Sequence, residues 1–403
     1  MLRSLLIFLS SGCLAISLAQ LAESHWLESS GARILTLASL TSVLGIASIS
    51  ALRSKRITAS TGFSADRVFN KSLAIAIGWV LVTFIAHVGV HAGMTAPTIF
   101  LGDFLFLIPF LPVLIPAHVL LSERLTGANH DAHSTFGALL RGQGRWNGGE
   151  HRTLVLGWLV KAFFIPLMYG NFVMASEQLL ALGALPRTDN WIVWFAAFGL
   201  AIDLLVATAG YLSTSKIFGA EIRGVDASWI SWAACLICYA PFFQYVQLVT
   251  EQRDTLIWTD WLQPNEPLYW LWAFFLVTSW GVYWLSSIAF GLRFSNLTYR
   301  GLVDKGPYRY FKHPAYLFKN VYWWLFTVPF FGVHSTSDLA ANLGGLTVVS
   351  LIYFLRAKTE ERYLRQFPEY SAYMRRLDAA SLASRVGSDL RGLLGARIHD
   401  STR

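Results

Sequence analysis

His313, Tyr316, Glu360 and Glu361 are the residues of this sequence whose types and spacing best suit chemistry. The first two lie in 306–320, GPYRYFKHPAYLFKN, with Tyr308, Arg309, Lys312, Pro314 and Asn320. The acids belong to a later stretch, AKTEERYLRQFPEYSAYMRR, which Arg356 immediately precedes. Both segments are polar and aromatic, and both adjoin stretches apolar enough to enter a bilayer. Charged groups gathered at the mouth of a membrane region are costly unless they bind something polar. A site for a polar, charge-bearing ligand is therefore expected there.

The local sequence says how these groups are positioned. Gly306-Pro307 marks a turn, and Pro314 drives His313 away from helical geometry. Irregular backbone at a membrane surface is tolerated where it is buried in protein or lines a cavity. Pro314 suits the first turn of the helix that follows. On that helix Tyr316 and Asn320 stand at i and i+4. Arg356 and Glu360 have the same spacing, and Leu364 and Phe367 continue their face. The acids are expected at the start of a helix that follows a hairpin. Pro368 ends it, and Glu369–Arg376 forms a second short helix with Tyr370 and Tyr373.

The elements that hold these segments are membrane helices. Hydrophobic residues make up 54% of the 403 and charged residues 14%, with a mean hydropathy of +0.47. Soluble domains carry about 25% charged residues, so the composition excludes an ordinary soluble fold. The predicted fold is an all-α integral membrane protein of ten transmembrane helices with cytoplasmic C-terminal helices. Spans are expected at 4–22, 32–52, 72–92, 98–121, 154–175, 191–212, 228–249 and 268–292. A shorter pair, 319–333 and 339–355, is joined by His334–Asp338 as a tight helical hairpin.

Lys and Arg set the orientation. With Met1 cytoplasmic, all but Arg33, Arg187, Arg253 and the intraspan Lys161 of the 32 basic residues fall in cytoplasmic segments. Both motif segments and both termini are then cytoplasmic, which in a bacterial-type cell means an inner-membrane protein. The net charge of +8 is topological and implies no nucleic-acid partner. The first apolar run also has signal-peptide features near Arg3 and Ala19 and is read as an uncleaved helix. Cys13, Cys235 and Cys238 form no disulfide framework and are read as buried thiols.

Three regions follow: an N-terminal membrane region, 1–265, of seven spans; a membrane module, 266–378, with a cytoplasmic pocket; and a tail, 379–403, suited to lying on the inner leaflet. The hydrophilic interruption 122–153, with His130, Asp131, His133 and His151, is expected to be a flexible solvated loop. His87 and His91, one turn apart, and Asp103 are weak metal or haem candidates. Without a further ligand pair no metal is assigned, and a hydrogen-bonded polar cluster is the preferred reading. Asp203 is costly in its span unless partnered.

Gly-Pro-Tyr-Arg-Tyr, a basic residue, His-Pro, one residue and Tyr, followed later by Glu-Glu-x-x-Leu, Phe-Pro-Glu-Tyr and Tyr-Met-Arg-Arg, resembles the isoprenylcysteine carboxyl methyltransferase family. The resemblance covers 291–376. It implies an S-adenosylmethionine pocket facing the cytoplasm and a lipophilic acceptor that arrives laterally from the bilayer. It implies that Tyr308, Arg309, Lys312, His313, Pro314, Tyr316, Asn320, Glu360 and Glu361 build the cofactor site. Within it, His313 and Tyr316 would meet the methionine end, and Glu360 and Glu361 the ribose or amino group. Arg356, beside the acceptor, and Glu360 are the implied catalytic pair. One position departs from the family, which often has a small residue where this chain has Phe318.

Two other functions fit parts of the sequence. Sterol reductases resemble the same C-terminal module and bind NADPH, whose extra phosphate suits Arg300, Lys305, Arg309 and Lys312. A transporter or assembly protein with a vestigial module would give His87, His91, Asp103 and Asp203 a role.

Overall fold

The structure is a computed structural model that describes residues 30–54, 64–91, 97–127, 131–183, 186–187 and 190–380. Among them, seven helices are long and apolar enough to cross a membrane. They correspond to seven of the expected spans, and the chain is a multi-pass, all-α membrane protein. The expected span 4–22 lies outside the described residues, as do Cys13, His130 and the tail from 381.

The chain divides into two compact units. The first contains the described residues up to Glu251 together with Phe290–Gly301. Its helices are α1 (Ser30–Ser54), α2 (Ala65–His91), α3 (Pro97–Leu107), α4 (Leu111–Thr126), α5 (Ala132–Leu140), α6 (Gly148–Leu182), α7 (Trp191–Leu212), α8 (Trp229–Leu236) and α9 (Phe242–Thr250). The 35-residue α6 carries much of the core, with Val160, Phe164 and Phe172 buried beside Val82 of α2 and Tyr211 of α7. Close approach is built in by glycine. A Cβ on Gly78 would meet the Trp158 ring at 2.2 Å, and one on Gly137 would meet the Asn70 carbonyl at 1.9 Å.

Two expectations for this unit are corrected. The described residues of 122–153, which are 122–127 and 131–153, are folded rather than a solvated loop. Asp131 and Ser134 form a capping box at the start of α5, Asn147 caps α6, and His151 is fully buried against Phe136 and Trp146. Residues 228–249 are not one continuous helix: α8 and α9 are separated around Pro241, which lacks the N–H a continuous helix needs.

Among the described residues no group of three or more metal-ligating side chains gathers. Asp103 is paired with Arg33 and accepts a hydrogen bond from Tyr169 at 2.7 Å, while His87 is exposed. The side chain of His91 lies outside the described residues. Asp203 is buried in α7. Cys235 is buried, and the Cys238 thiol donates to the Ala234 carbonyl.

The returning segment 290–301 is fastened within this unit. β1 (Gly224–Val225) pairs antiparallel with β2 (Thr298–Tyr299). Buried Arg300 donates to the carbonyls of Ala220, Gly210 and Phe294 at 2.7–2.9 Å.

The second unit contains Gln252–Ala289 and the described residues from Leu302. Its helices are α10 (Trp258–Trp261), α11 (Pro267–Phe290, whose last residue belongs to the first unit), α12 (Pro314–Thr327), α13 (Thr336–Leu364) and α14 (Pro368–Ala380). Aromatic contacts join α11 to α12: Trp280 stacks on Tyr322 with centroids 4.2 Å apart, and the Trp272 indole donates to the Leu325 carbonyl. Between α12 and α13, Ser350 Oγ lies 2.9 Å from Asn320 Oδ1 and 3.1 Å from Trp324 Nε1.

The hairpin is asymmetric, not the short pair expected. α12 has 14 residues, about 21 Å of helix, too few to cross a bilayer alone. α13 has 29 residues, about 43 Å. No break separates its membrane part from the acidic motif, because Leu355–Leu364 is rich in strong helix formers. The acids therefore occupy its last turns instead of a new helix start. An apolar core about 30 Å thick takes up some 20 residues, so the final turns of α13 project past it.

Candidate functional site

The site in the second unit is built from the start of α12, the end of α13 and α14. Gly306 has a left-handed φ of +59° and opens a 3₁₀ turn, Gly306–Arg309. The Tyr373 hydroxyl of α14 donates to the carbonyls of Tyr308 and Phe311 at 2.8 and 3.1 Å. Beneath this contact Tyr370, Tyr373, Met374 and Leu377 pack with Leu302, Leu364 and Phe367. The turn is thereby held against α14, and His313 follows with φ −132° and ψ +62°. Pro314 occupies the first helical position and is fully buried. The imidazole makes no cap bond to α12, so it can face α13.

There it meets both acids. His313 Nδ1 lies 3.5 Å from Glu360 Oε2, and Nε2 lies 3.4 Å from Glu361 Oε1. Burial lowers the imidazole pKa, but the two carboxylates more than offset this and raise it to about 9. At neutral pH the group is an imidazolium between two carboxylates. Its buried Nε2 faces Glu361 but completes no aligned hydrogen bond among the described residues.

Aromatic rings flank the cluster. Tyr316 donates its hydroxyl to Glu360. Its ring lies nearly parallel to His313 (centroids 5.7 Å, 8°) and to Tyr353 (6.0 Å, 19°). The buried Arg356 guanidinium sits 4.9 Å from the same ring. Glu361, itself buried, also meets Lys358 at 3.4 Å and Arg365 at 3.5 Å. Those two cations are more than half exposed, and such pairs contribute little. The Tyr370 hydroxyl is buried with no hydrogen-bond partner among the described residues. Burial, then the charges of Glu360 and Glu361, push its pKa well up, which places it beside the acids as a neutral donor.

The structure thus gathers His313, Tyr316, Arg356, Glu360 and Glu361. The other expected site residues stand apart from that cluster. The Tyr308 ring is buried and its carbonyl is taken by Tyr373. Exposed Arg309 lines a separate cleft of about 920 Å³ with Lys305 and Arg376. Lys312 pairs with Asp378 yet stays within electrostatic reach of Glu361. Asn320 faces Ser350. Phe318 meets Phe311 edge-on with centroids 5.4 Å apart; two residues beyond Tyr316 on a helix it points about 200° away, so it does not fill the cluster.

Residues 271–366 match the isoprenylcysteine carboxyl methyltransferase (ICMT) family. The matched stretch is about a quarter of the chain. It runs from α11 through the acidic motif, includes all five clustered residues, and points to a membrane methyltransferase. No curated protein and no solved structure matches the chain. Tyr370 and Tyr373 lie just beyond the ICMT match.

Tyr353 and Tyr370 are the site residues that sequence reasoning passed over. Tyr353, Arg356 and Glu360 stand at i, i+3 and i+7, a single helical stripe, and that spacing was available to find the first. Nothing local marks Tyr370, because its orientation depends on how α14 packs.

Proposed function

We propose that this protein is an S-adenosylmethionine-dependent methyltransferase of the ICMT type acting on a lipophilic acceptor that bears a carboxylate or similar nucleophile. The observation that carries the proposal is His313 held within 3.5 Å of both Glu360 and Glu361. Two motifs distant in sequence meet there, inside the ICMT-matching stretch.

The residues present fit the donor. The underused imidazolium Nε2–H and the orphaned Tyr370 hydroxyl suit its α-carboxylate. Glu360 and Glu361 provide acceptors for ribose hydroxyls or an ammonium. The faces of Tyr316 and Tyr353 attract a cation, by about 0.5–2 kcal/mol. When bound, S-adenosylmethionine supplies a methyl carbon whose bonding pair stays with sulfur as the acceptor oxygen attaches.

The protein's task is then placement. An acceptor carboxylate with a pKa near 4 is already ionised, so no side chain has to remove a proton. Arg356, a fixed cation on the Tyr316 ring, orients that anion and shields it from water. Alignment of the reacting atoms supplies most of the acceleration. The excess of Lys and Arg on one side supports a cytoplasmic face for the site, an inner-membrane location and cytoplasmic termini.

The reductase alternative loses support. Arg300 is buried among backbone carbonyls of the first unit, and Lys312 is paired with Asp378, which leaves fewer cations for a second phosphate. The test is titration of the purified protein with S-adenosylmethionine by calorimetry. His313→Ala and Glu361→Ala should each weaken binding at least tenfold; wild-type affinity in both would remove the site. Stabilisation by NADPH alone would favour the reductase.

A further inference from the structure

Lys161 sits in the middle of α6, the most buried long helix of the first unit, and is itself more than nine-tenths buried. An ammonium inside a membrane protein is costly without an anion. Among the described residues its partners include none. Nζ lies 3.2 Å from the centroid of the Trp158 ring and donates to Thr214 Oγ1 at 3.1 Å. Among the described residues, the charged or titratable groups within its electrostatic reach are Arg300, His118 and His133, all basic. Exposed Lys216, two residues beyond Thr214, acts on His133 as well.

The acids that act on its basic neighbours are committed elsewhere: Glu221, which acts on Arg300, holds Arg223 at 3.5 Å. Glu123 holds Arg67 and Lys71 at 2.9 and 3.0 Å. Asp131 holds Lys71 at 3.1 Å and caps α5. An ammonium has three N–H donors: one serves Thr214, one can face the ring, and one is left over. Thr214, having accepted from Lys161, keeps its own O–H to donate. The arrangement is built into the backbone, since only a glycine at 78 leaves room for the Trp158 ring.

We propose that the first unit contains a phosphate-binding site in which Lys161 Nζ and Thr214 Oγ1 are the two direct donors. Arg300 and Lys216 supply positive field around it. Phosphate fits better than a singly charged group because it carries close to two negative charges at neutral pH, against the cations of Lys161, Arg300 and Lys216. A point-charge lysine is a common phosphate binder. The phosphate can belong to a lipid headgroup or be free in solution. His118 on α4 and Lys216 after α7 are exposed.

The experiment is thermal unfolding of the full-length protein in a neutral detergent. Inorganic phosphate is compared with chloride at equal ionic strength. A second arm uses phosphatidylcholine nanodiscs with and without phosphatidic acid. Wild type is expected to melt several degrees higher with at least one probe. A shift from inorganic phosphate identifies a soluble ligand, and one from phosphatidic acid alone identifies a lipid headgroup. Lys161→Met and Thr214→Val should each lose more than half of the shift. Absence of any shift in wild type overturns the proposal, as does a full shift in Lys161→Met. Should Lys161→Met fail to fold, a full shift in Thr214→Val does the same.

Discussion

The Tyr373 hydroxyl reaches the Tyr308 carbonyl at 2.8 Å from the far side of the turn that delivers His313. It also lies 3.1 Å from the Phe311 carbonyl, so a single side chain of α14 fastens both ends of Tyr308–Phe311. Tyr373→Phe removes the donor while keeping the ring packed against Tyr370. A lost buried hydrogen bond costs about 0.5–1.5 kcal/mol, and two carbonyls lose their shared partner. The melting temperature should fall by a few degrees. Affinity for S-adenosylmethionine should fall several-fold, because His313 loses its fixed approach to α13. Unchanged values for both would mean that the turn holds its shape without α14.

His313 gives the site a pH signature. Its folded pKa is raised to about 9, against about 6.5 for an unperturbed imidazole. A raised folded pKa contributes stability that is fully present below pH 6.5 and is lost as pH climbs through 9. The contribution is on the order of 3 kcal/mol, at about 1.4 kcal/mol per unit. His313→Gln should therefore melt well below wild type at pH 6, and the gap should close by pH 10. A gap that is constant across that range would show that the imidazolium is not paired with the acids.

The flanking acids should share that effect. Glu360→Gln and Glu361→Gln each remove one of the two charges facing the ring. An opposite charge at this distance moves a pKa by about 1–3 units. Imidazole titration followed by NMR should place His313 at least one unit lower in either variant. Glu360→Gln also takes the charged acceptor from Tyr316 and should disturb the Tyr316 ring signals more than Glu361→Gln does.

Inside the first unit, Arg33 and Asp103 form a buried pair that Tyr169 completes. Removing one member of a buried pair costs about 3–5 kcal/mol, because the other charge is left uncompensated. Arg33→Met should destabilise the protein by that amount. Arg33→Met combined with Asp103→Leu should recover most of the loss, which denaturation in detergent would measure. A double variant as weak as the single would show that the pair itself, and not the stranded charge, carries the stability.

Apolar run length made seven spans legible, and the turn and proline chemistry of 306–314 fixed the start of α12. What stayed hidden depends on packing. His151 looks like a loop histidine until Phe136 and Trp146 close over it. The break between α8 and α9 rests on a single Pro241 inside an apolar run. Glu360 and Glu361 looked like a helix start because their charge interrupts the hydropathy, although their helix propensity carries α13 straight through. Phe318 departs from the family pattern in sequence, yet its direction on α12 turns it toward Phe311. The basic residues of 306–312 share a segment with His313 but face other partners, which side-chain direction decides and spacing does not.

Under the proposed function, Arg356 is the residue at which donor binding and acceptor binding can be told apart. Its guanidinium lies over Tyr316, and Glu360 follows one turn later on the same helix. Arg356→Lys keeps the charge but gives up the planar, two-pronged contact that suits a carboxylate. If Arg356 orients the acceptor, this variant should bind S-adenosylmethionine within about twofold of wild type. Its KM for a carboxylate-bearing lipid acceptor should rise by about tenfold, the equivalent of 1.4 kcal/mol. Calorimetry reads the first quantity, and methyl transfer from radiolabelled donor at varied acceptor reads the second. A large loss of donor affinity with an unchanged acceptor KM would instead make Arg356 part of the donor site, and the acceptor would then have to be oriented by groups other than this cation.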